Sequence, residues 1–225
     1  MQPSLLPVDD AATLWSVPAG EVDDALAHRP LLVLMHGYGS NEADLAGLFG
    51  HLGDDLLMAS LRAPLPLRVG PGSGYAWFPI TQPGNPDAAL VDAAARGVRR
   101  WLEDTQARVR VHGPVGLLGF SQGGAMAVQL LRHFPESFGC VVNLSGFVAG
   151  GLVAGDEALS QIRPPVFWGR DVADPVITGE AVARTRAFLP AHTTLTSRLY
   201  PGVGHGISGE ELTDVVAFLA EHLTP

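Results

Sequence analysis

The chain has 225 residues, of which 47% are hydrophobic and 16% charged, and its formal net charge is −9. This is enough apolar chain for one sizeable core, and it excludes an intrinsically disordered protein. The acidic balance, with no basic cluster beyond Arg96, Arg99 and Arg100, argues against a nucleic-acid binder or a protein that docks on anionic membrane.

In chain order, the opening MQPSLLPVDD has neither a basic n-region nor a long apolar run, so no signal peptide is expected. LLVLMHG (31–37) is a continuous apolar run ended by glycine, and LLMASL (56–61) is a second. Such runs predict strands covered on both faces, as in parallel sheets. The Pro/Gly-rich piece from 64 to 86 is expected to be a long loop of the kind that often carries function. A helix is predicted over 87–105, with Leu90, Ala94, Val98, Trp101 and Leu102 at helical spacing. VGLLGF (115–120), a helix over 122–134, CVVNLSG (140–146) and PVFWG (165–169) follow. Between the last two runs lies a second glycine-rich loop, FVAGGLVAG (147–155). A helix over 178–189 then leads to the more alternating TLTSRLY (194–200), which suits a strand nearer the edge. Ser208 and Glu211 predict a capping box for the last helix, whose apolar stripe is Leu212, Val215, Val216 and Leu219. The alternation predicts one α/β domain over residues 1–225, a mostly parallel central sheet flanked by helices with no separate cap domain.

Cys140 is the only cysteine, so no intramolecular disulfide can form, and it reads as a small buried hydrophobe. No apolar stretch approaches the ~20 residues that span a bilayer. A cytoplasmic protein without integral membrane association is expected. No Cys/His cluster has metal-ligand spacing, so neither a metal nor another cofactor is expected.

Gly119, Ser121 and Gly123 spell G-x-S-x-G between a strand pattern and a helix pattern. A nucleophile on a strained strand-to-helix turn needs small neighbours, and the following helix N-terminus favours negative charge. A serine needs a base. Of the eight histidines, His205 sits in a glycine-flanked loop after the last strand, at the same sheet edge as Ser121. His36 reads as a structural hydrogen-bonder. The carboxylate that orients the base comes from RDVADPVI, with Asp174 chosen and Asp171 as the alternative. The amides of Tyr38, in HGYGS, and of Gln122 are the candidate oxyanion donors. Leu65, Trp77, Phe78, Phe147 and Val148, from the two long loops, are candidate pocket walls.

HGYGSNEADL, AWFPI, GFSQGGAMA, DPVI and GHGIS, in that order, resemble the α/β-hydrolase carboxylesterase/phospholipase family, which includes acyl-protein thioesterases and small bacterial carboxylesterases. The resemblance implies a minimal α/β-hydrolase core that cleaves esters or thioesters. It carries over Ser121, Asp174 and His205 as the triad, and Tyr38 and Gln122 as amide donors. Two departures stand out. Trp168 replaces the family's histidine before the glycine, and two extra residues precede Asp174. The segment 64–86 also differs from that of the eukaryotic thioesterases, so protein depalmitoylation is not implied. The expected substrate is a small acyl ester or thioester. The alternatives are a thioesterase or lysophospholipase activity, another chemistry on the same triad, or a hydrolase-fold binding protein without catalysis. An exposed apolar loop would serve a homodimer contact as well as a substrate.

Overall fold

The structure, a computed structural model, describes residues 6–69, 72–109 and 111–223. The elements run β1 (Leu14–Trp15), α1 (Val22–His28), β2 (Leu31–Met35), α2 (Glu42–Ala46), α3 (Phe49–Leu52), β3 (Leu57–Leu61), β4 (Leu65–Val69), β5 (Gly72–Ala76), α4 (Ala88–Arg108), β6 (Val115–Phe120), α5 (Gln122–His133), β7 (Cys140–Leu144), α6 (Asp156–Ile162), β8 (Pro165–Arg170), α7 (Gly179–His192), β9 (Thr194–Leu199) and α8 (Gly209–His222). Seven strands form one sheet in the order β1-β3-β2-β6-β7-β8-β9. Among the described residues of this sheet, β1 alone runs antiparallel to its neighbour, and the alternating strand β9 lies at the edge.

The apolar runs are continuous because both faces of the sheet are covered, and successive side chains point opposite ways. Leu31, Val33 and Met35 of β2 join Leu117 and Val141 in a core shared with α4 and α5. Leu32 and Leu34 join Leu118, Val142 and Phe167 on the other face, under α8. Cys140 is fully buried on that second face, and burial pushes its thiol up to about 12, so it stays protonated at neutral pH.

Two expectations need correction. The piece 64–86 is not all loop, since β4 and β5 pair as an antiparallel hairpin. The hairpin docks on the turn after β2, where Gly39 donates to the Tyr75 carbonyl and Tyr75 donates to the Ser40 carbonyl, both at 2.8 Å. The capping box is half formed. Ser208 Oγ accepts from the Glu211 amide at 3.0 Å, while among the described residues the Glu211 carboxylate nears the Ser208 amide without forming a hydrogen bond of good geometry. That carboxylate instead turns into the core over Gly169, where a Cβ would collide with it.

Candidate active site

The turn between β6 and α5 places Ser121 at the C-terminal edge of the sheet. Its backbone has φ 55° and ψ −113°, a strained conformation for a non-glycine residue, at a typical cost of about 1–3 kcal/mol. The amide of Ser121 donates to the Leu144 carbonyl at 2.8 Å, which fixes the turn to β7. The flanking glycines are steric necessities. A Cβ on Gly119 would strike the Gly123 carbonyl, and one on Gly123 would strike the carbonyls of Met35 and His36.

His205, in the loop between β9 and α8, stands between two partners. Its Nε2 lies 2.8 Å from Ser121 Oγ, and its Nδ1 lies 2.8 Å from Asp174 Oδ2. Facing a carboxylate, Nδ1 carries the proton, and Nε2 is left to accept from the serine hydroxyl. The ring packs against Phe120 with centroids 5.0 Å apart. Asp174 is held in turn by the amides of Val176 and Ile177, which donate to its other oxygen at 2.8 and 3.2 Å. Asp171 does not meet His205; its oxygens accept from the amides of Ala173 and Gly204.

The turn after β2 faces this array. His36 is fully buried, with Nδ1 donating to the Gly37 carbonyl at 2.7 Å and Nε2 accepting from the Ala63 amide at 3.1 Å. Burial pushes its pKa below the usual histidine range and outweighs the opposing Gly37 bond, so the ring is neutral. In a trans peptide the N–H points opposite to the C=O. Holding the Gly37 carbonyl toward His36 therefore turns the Tyr38 amide away from the ring, on a turn that lines the same cavity as Ser121. Among the described residues no protein acceptor takes that amide. The Gln122 amide opens α5 and has no intrahelical partner. The Gln122 side chain is committed elsewhere: it accepts from the Trp77 amide at 2.9 Å and donates to the Phe78 carbonyl at 2.7 Å.

Ser121 and His205 open into a cavity of about 480 Å³ whose walls include Phe78, Ile80, Phe120, Phe147 and Ile177. The volume suits a small organic ligand. Ser40 and Asp44 supply polar wall, with Ser40 Oγ donating to Asp44 at 2.7 Å.

A model of the phospholipase/carboxylesterase family matches residues 22–223. The chain belongs to that family. Among its relatives, a probable carboxylesterase of Oryza sativa subsp. japonica is 29% identical over 155 residues, 66% of this chain and 58% of that protein. A probable carboxylesterase SOBER1-like of Arabidopsis thaliana matches over 59% of its length, so the chain spans less than two thirds of these plant relatives. Acyl-protein thioesterase 1 of Debaryomyces hansenii is 28% identical over 177 residues, 72% of this chain and 74% of that one. The crystal structure of esterase PE8 superposes with a TM-score of 0.75 at 27% identity, covering 96% of this chain and all of the other.

Within this phospholipase/carboxylesterase framework, an α/β-hydrolase fold, the pocket residues named from sequence divide. Phe78 and Phe147 line the cavity. Trp77 does not: it is fully buried, and its indole N–H donates to the His36 carbonyl at 2.8 Å, bracing the turn that carries Tyr38. Val148 faces the core and Leu65 pairs with Ala76 in the hairpin. Sequence reasoning missed Phe120, Ile80, Val176 and Ile177 as walls. Each lies beside a residue already singled out: Phe120 before Ser121, Ile80 after the Trp-Phe pair, and Val176 and Ile177 after Asp174. Missed as well was Arg184 on α7. Its guanidinium donates to the Gly84 carbonyl and, at 2.7 Å, to the Val148 carbonyl, joining the two loops that flank the cavity.

Proposed function

We propose that the protein hydrolyses carboxylic esters, and thioesters of similar acyl groups, through a covalent acyl-enzyme on Ser121. The observation that carries this reading is the unbroken hydrogen-bonded line Ser121–His205–Asp174 at the mouth of an apolar cavity. Membership of a family whose relatives are named carboxylesterase and acyl-protein thioesterase supports the same bond class.

In this mechanism the substrate's acyl group lies against Phe78, Phe120 and Phe147, with its carbonyl oxygen toward the amides of Tyr38 and Gln122. His205 Nε2 takes the proton from Ser121 Oγ as the oxygen attacks the carbonyl carbon. The two amides hold the oxyanion of the tetrahedral intermediate, where one lost donor typically costs about 100- to 1,000-fold in rate. The imidazolium, stabilised by Asp174, gives its proton to the leaving alkoxide or thiolate. Water then enters, gives a proton to Nε2 and attacks the acyl-enzyme, releasing the acid and restoring Ser121. His205 Nε2 passes that proton to Ser121 Oγ as the acid leaves, so each cycle consumes one water and returns Ser121 and His205 to their starting states.

The test pairs turnover with labelling. Hydrolysis of p-nitrophenyl esters from acetate to octanoate is expected to saturate and to show a chain-length optimum set by the cavity. A fluorophosphonate is expected to add one phosphonyl group per chain, on Ser121 by mass spectrometry, and to stop turnover in proportion. Turnover that survives complete labelling, or a label on another residue, would refute the acyl-enzyme. A folded protein that cleaves neither these esters nor the matching thioesters would instead be a binding protein built on a hydrolase fold.

A further inference from the structure

Two aspartates follow β8, and each divides its carboxylate between two loops. Asp174 uses Oδ1 for the amides of its own loop and Oδ2 for the His205 ring. Asp171, only 3% exposed, does the same with main chain: Oδ1 accepts from the Ala173 amide at 2.8 Å, and Oδ2 from the Gly204 amide at 2.6 Å. Gly204 is the residue immediately before His205. We propose that Asp171 is a positioning residue, fastening the loop that carries His205 to the loop that carries Asp174 and so setting the imidazole between Ser121 and Asp174. The proposal rests on the triad reading above and adds to it a residue that touches none of the reacting atoms.

The need for such a fastening lies in the sequence. The loop PGVGHGIS holds Gly202, Gly204 and Gly206, and the first two adopt φ of 88° and 68°. Glycine loops lose more backbone freedom on ordering than others, and this one has few bonds to resist that. Among the described residues, the main-chain tie of residues 201–207 to the rest of the protein runs to the Asp171 carboxylate, which takes the Gly204 amide at 2.6 Å with the amides of Gly202 and Val203 beside it. The remaining ties of His205 are its two ring bonds and its packing on Phe120, and a displacement of the ring would lengthen one bond while shortening the other. A carboxylate receiving amides at both oxygens makes charge-assisted bonds that resist such a shift. The amides of Ala173 and Gly204, with further help from those of Gly202 and Val203, hold the Asp171 carboxyl below the usual range against its burial, so it remains the ionised acceptor.

The test compares wild type with Asp171→Ala and Asp171→Asn, the second nearly isosteric and able to accept at one oxygen. The first readout is the low-field proton resonance of His205 Nδ1–H, which reports the bond to Asp174 without turnover. It is expected sharp in wild type, weakened in Asp171→Asn and lost to solvent exchange in Asp171→Ala. The second readout is hydrolysis of p-nitrophenyl butyrate. A misplacement of about 1 Å costs about 100-fold, so a kcat loss of up to about that factor is expected in Asp171→Ala, where the loop is released altogether. Asp171→Asn should lie between, and KM should stay within about twofold because Asp171 lies outside the cavity. Folded variants that keep both the resonance and kcat, with or without a lower melting temperature, overturn the proposal. If wild type cleaves no ester, the triad reading fails, while the resonance still decides whether Asp171 holds His205 on Asp174.

Discussion

Asp174→Asn is expected to lower kcat on an activated ester by about 10,000-fold with little change in KM. The cause is the imidazole tautomer. Asp174 Oδ2 lies 2.8 Å from Nδ1 and, as an acceptor only, keeps the proton there. A carboxamide can turn its N–H₂ to this position and donate to Nδ1. The proton then moves to Nε2 and points at Ser121 Oγ, 2.8 Å away, where an acceptor is required. The cavity is unchanged because the Asp174 side chain is only 3% exposed and is not part of its wall. Steady-state kinetics on p-nitrophenyl butyrate, with circular dichroism to establish folding, would read the effect. A loss below about tenfold would mean that Asp174 does not set the state of His205.

The second large effect concerns stability and arises from Glu211. Its carboxylate is 1% exposed and burial pushes it up from the ordinary 4.5 to about 7, with the Asp214 charge adding to the shift and the Ser208 amide opposing it. Below pH 4.5 the group is protonated in both the folded and unfolded chain and costs nothing. Between 4.5 and 7 the unfolded chain releases its proton while the folded chain retains it, so stability falls as pH rises. Above 7 the loss is complete, amounting to about 3 kcal/mol. Glu211→Gln removes the titration and keeps the shape. Urea unfolding at pH 5 and pH 8 should show wild type losing stability relative to the variant by most of that amount, about 2.5 kcal/mol, since a minor part is already lost by pH 5. Taking the difference between the two proteins cancels the other titrating groups. Parallel curves would mean that Glu211 ionises as readily inside the fold as outside it.

These two residues also mark how far the sequence could be read. The meeting of Ser121 and His205 with a carboxylate from the segment holding Asp171 and Asp174 was legible because each piece follows a strand run at one sheet edge and sits among glycines or beside a proline that announce a turn. The central strands were legible for a related reason: covered on both faces, they are apolar at nearly every position, with Ser60 and Asn143 as buried polar exceptions. Glu211 was readable only as a capping residue, because its sequence position does not say that Gly169 leaves a hole on the facing strand. Trp77 and Phe78 could not be told apart, since neighbouring side chains point opposite ways and nothing in the sequence indicates which one meets the cavity. The hairpin of β4 and β5 was hidden by Pro66, Gly72 and Gly74. Gly74 is there because the Gly39 carbonyl occupies the place of a side chain. Asp171 and Asp174 share a residue type and a loop, and only the fold shows which reaches a ring and which an amide.

The roof of the cavity hangs from two points. Gln122 holds the Phe78 carbonyl at one end and Arg184 holds the Gly84 carbonyl at the other, while Ile80 between them is 48% exposed. Both anchors grip main chain, which is blind to the side chains strung along the span. Residues 80–83 therefore carry side chains that the two anchors do not hold, although Gln82 bonds Asn85. Exchanging side chains there is expected to reshape the roof of the cavity while leaving Ser121, His205 and Asp174 in place.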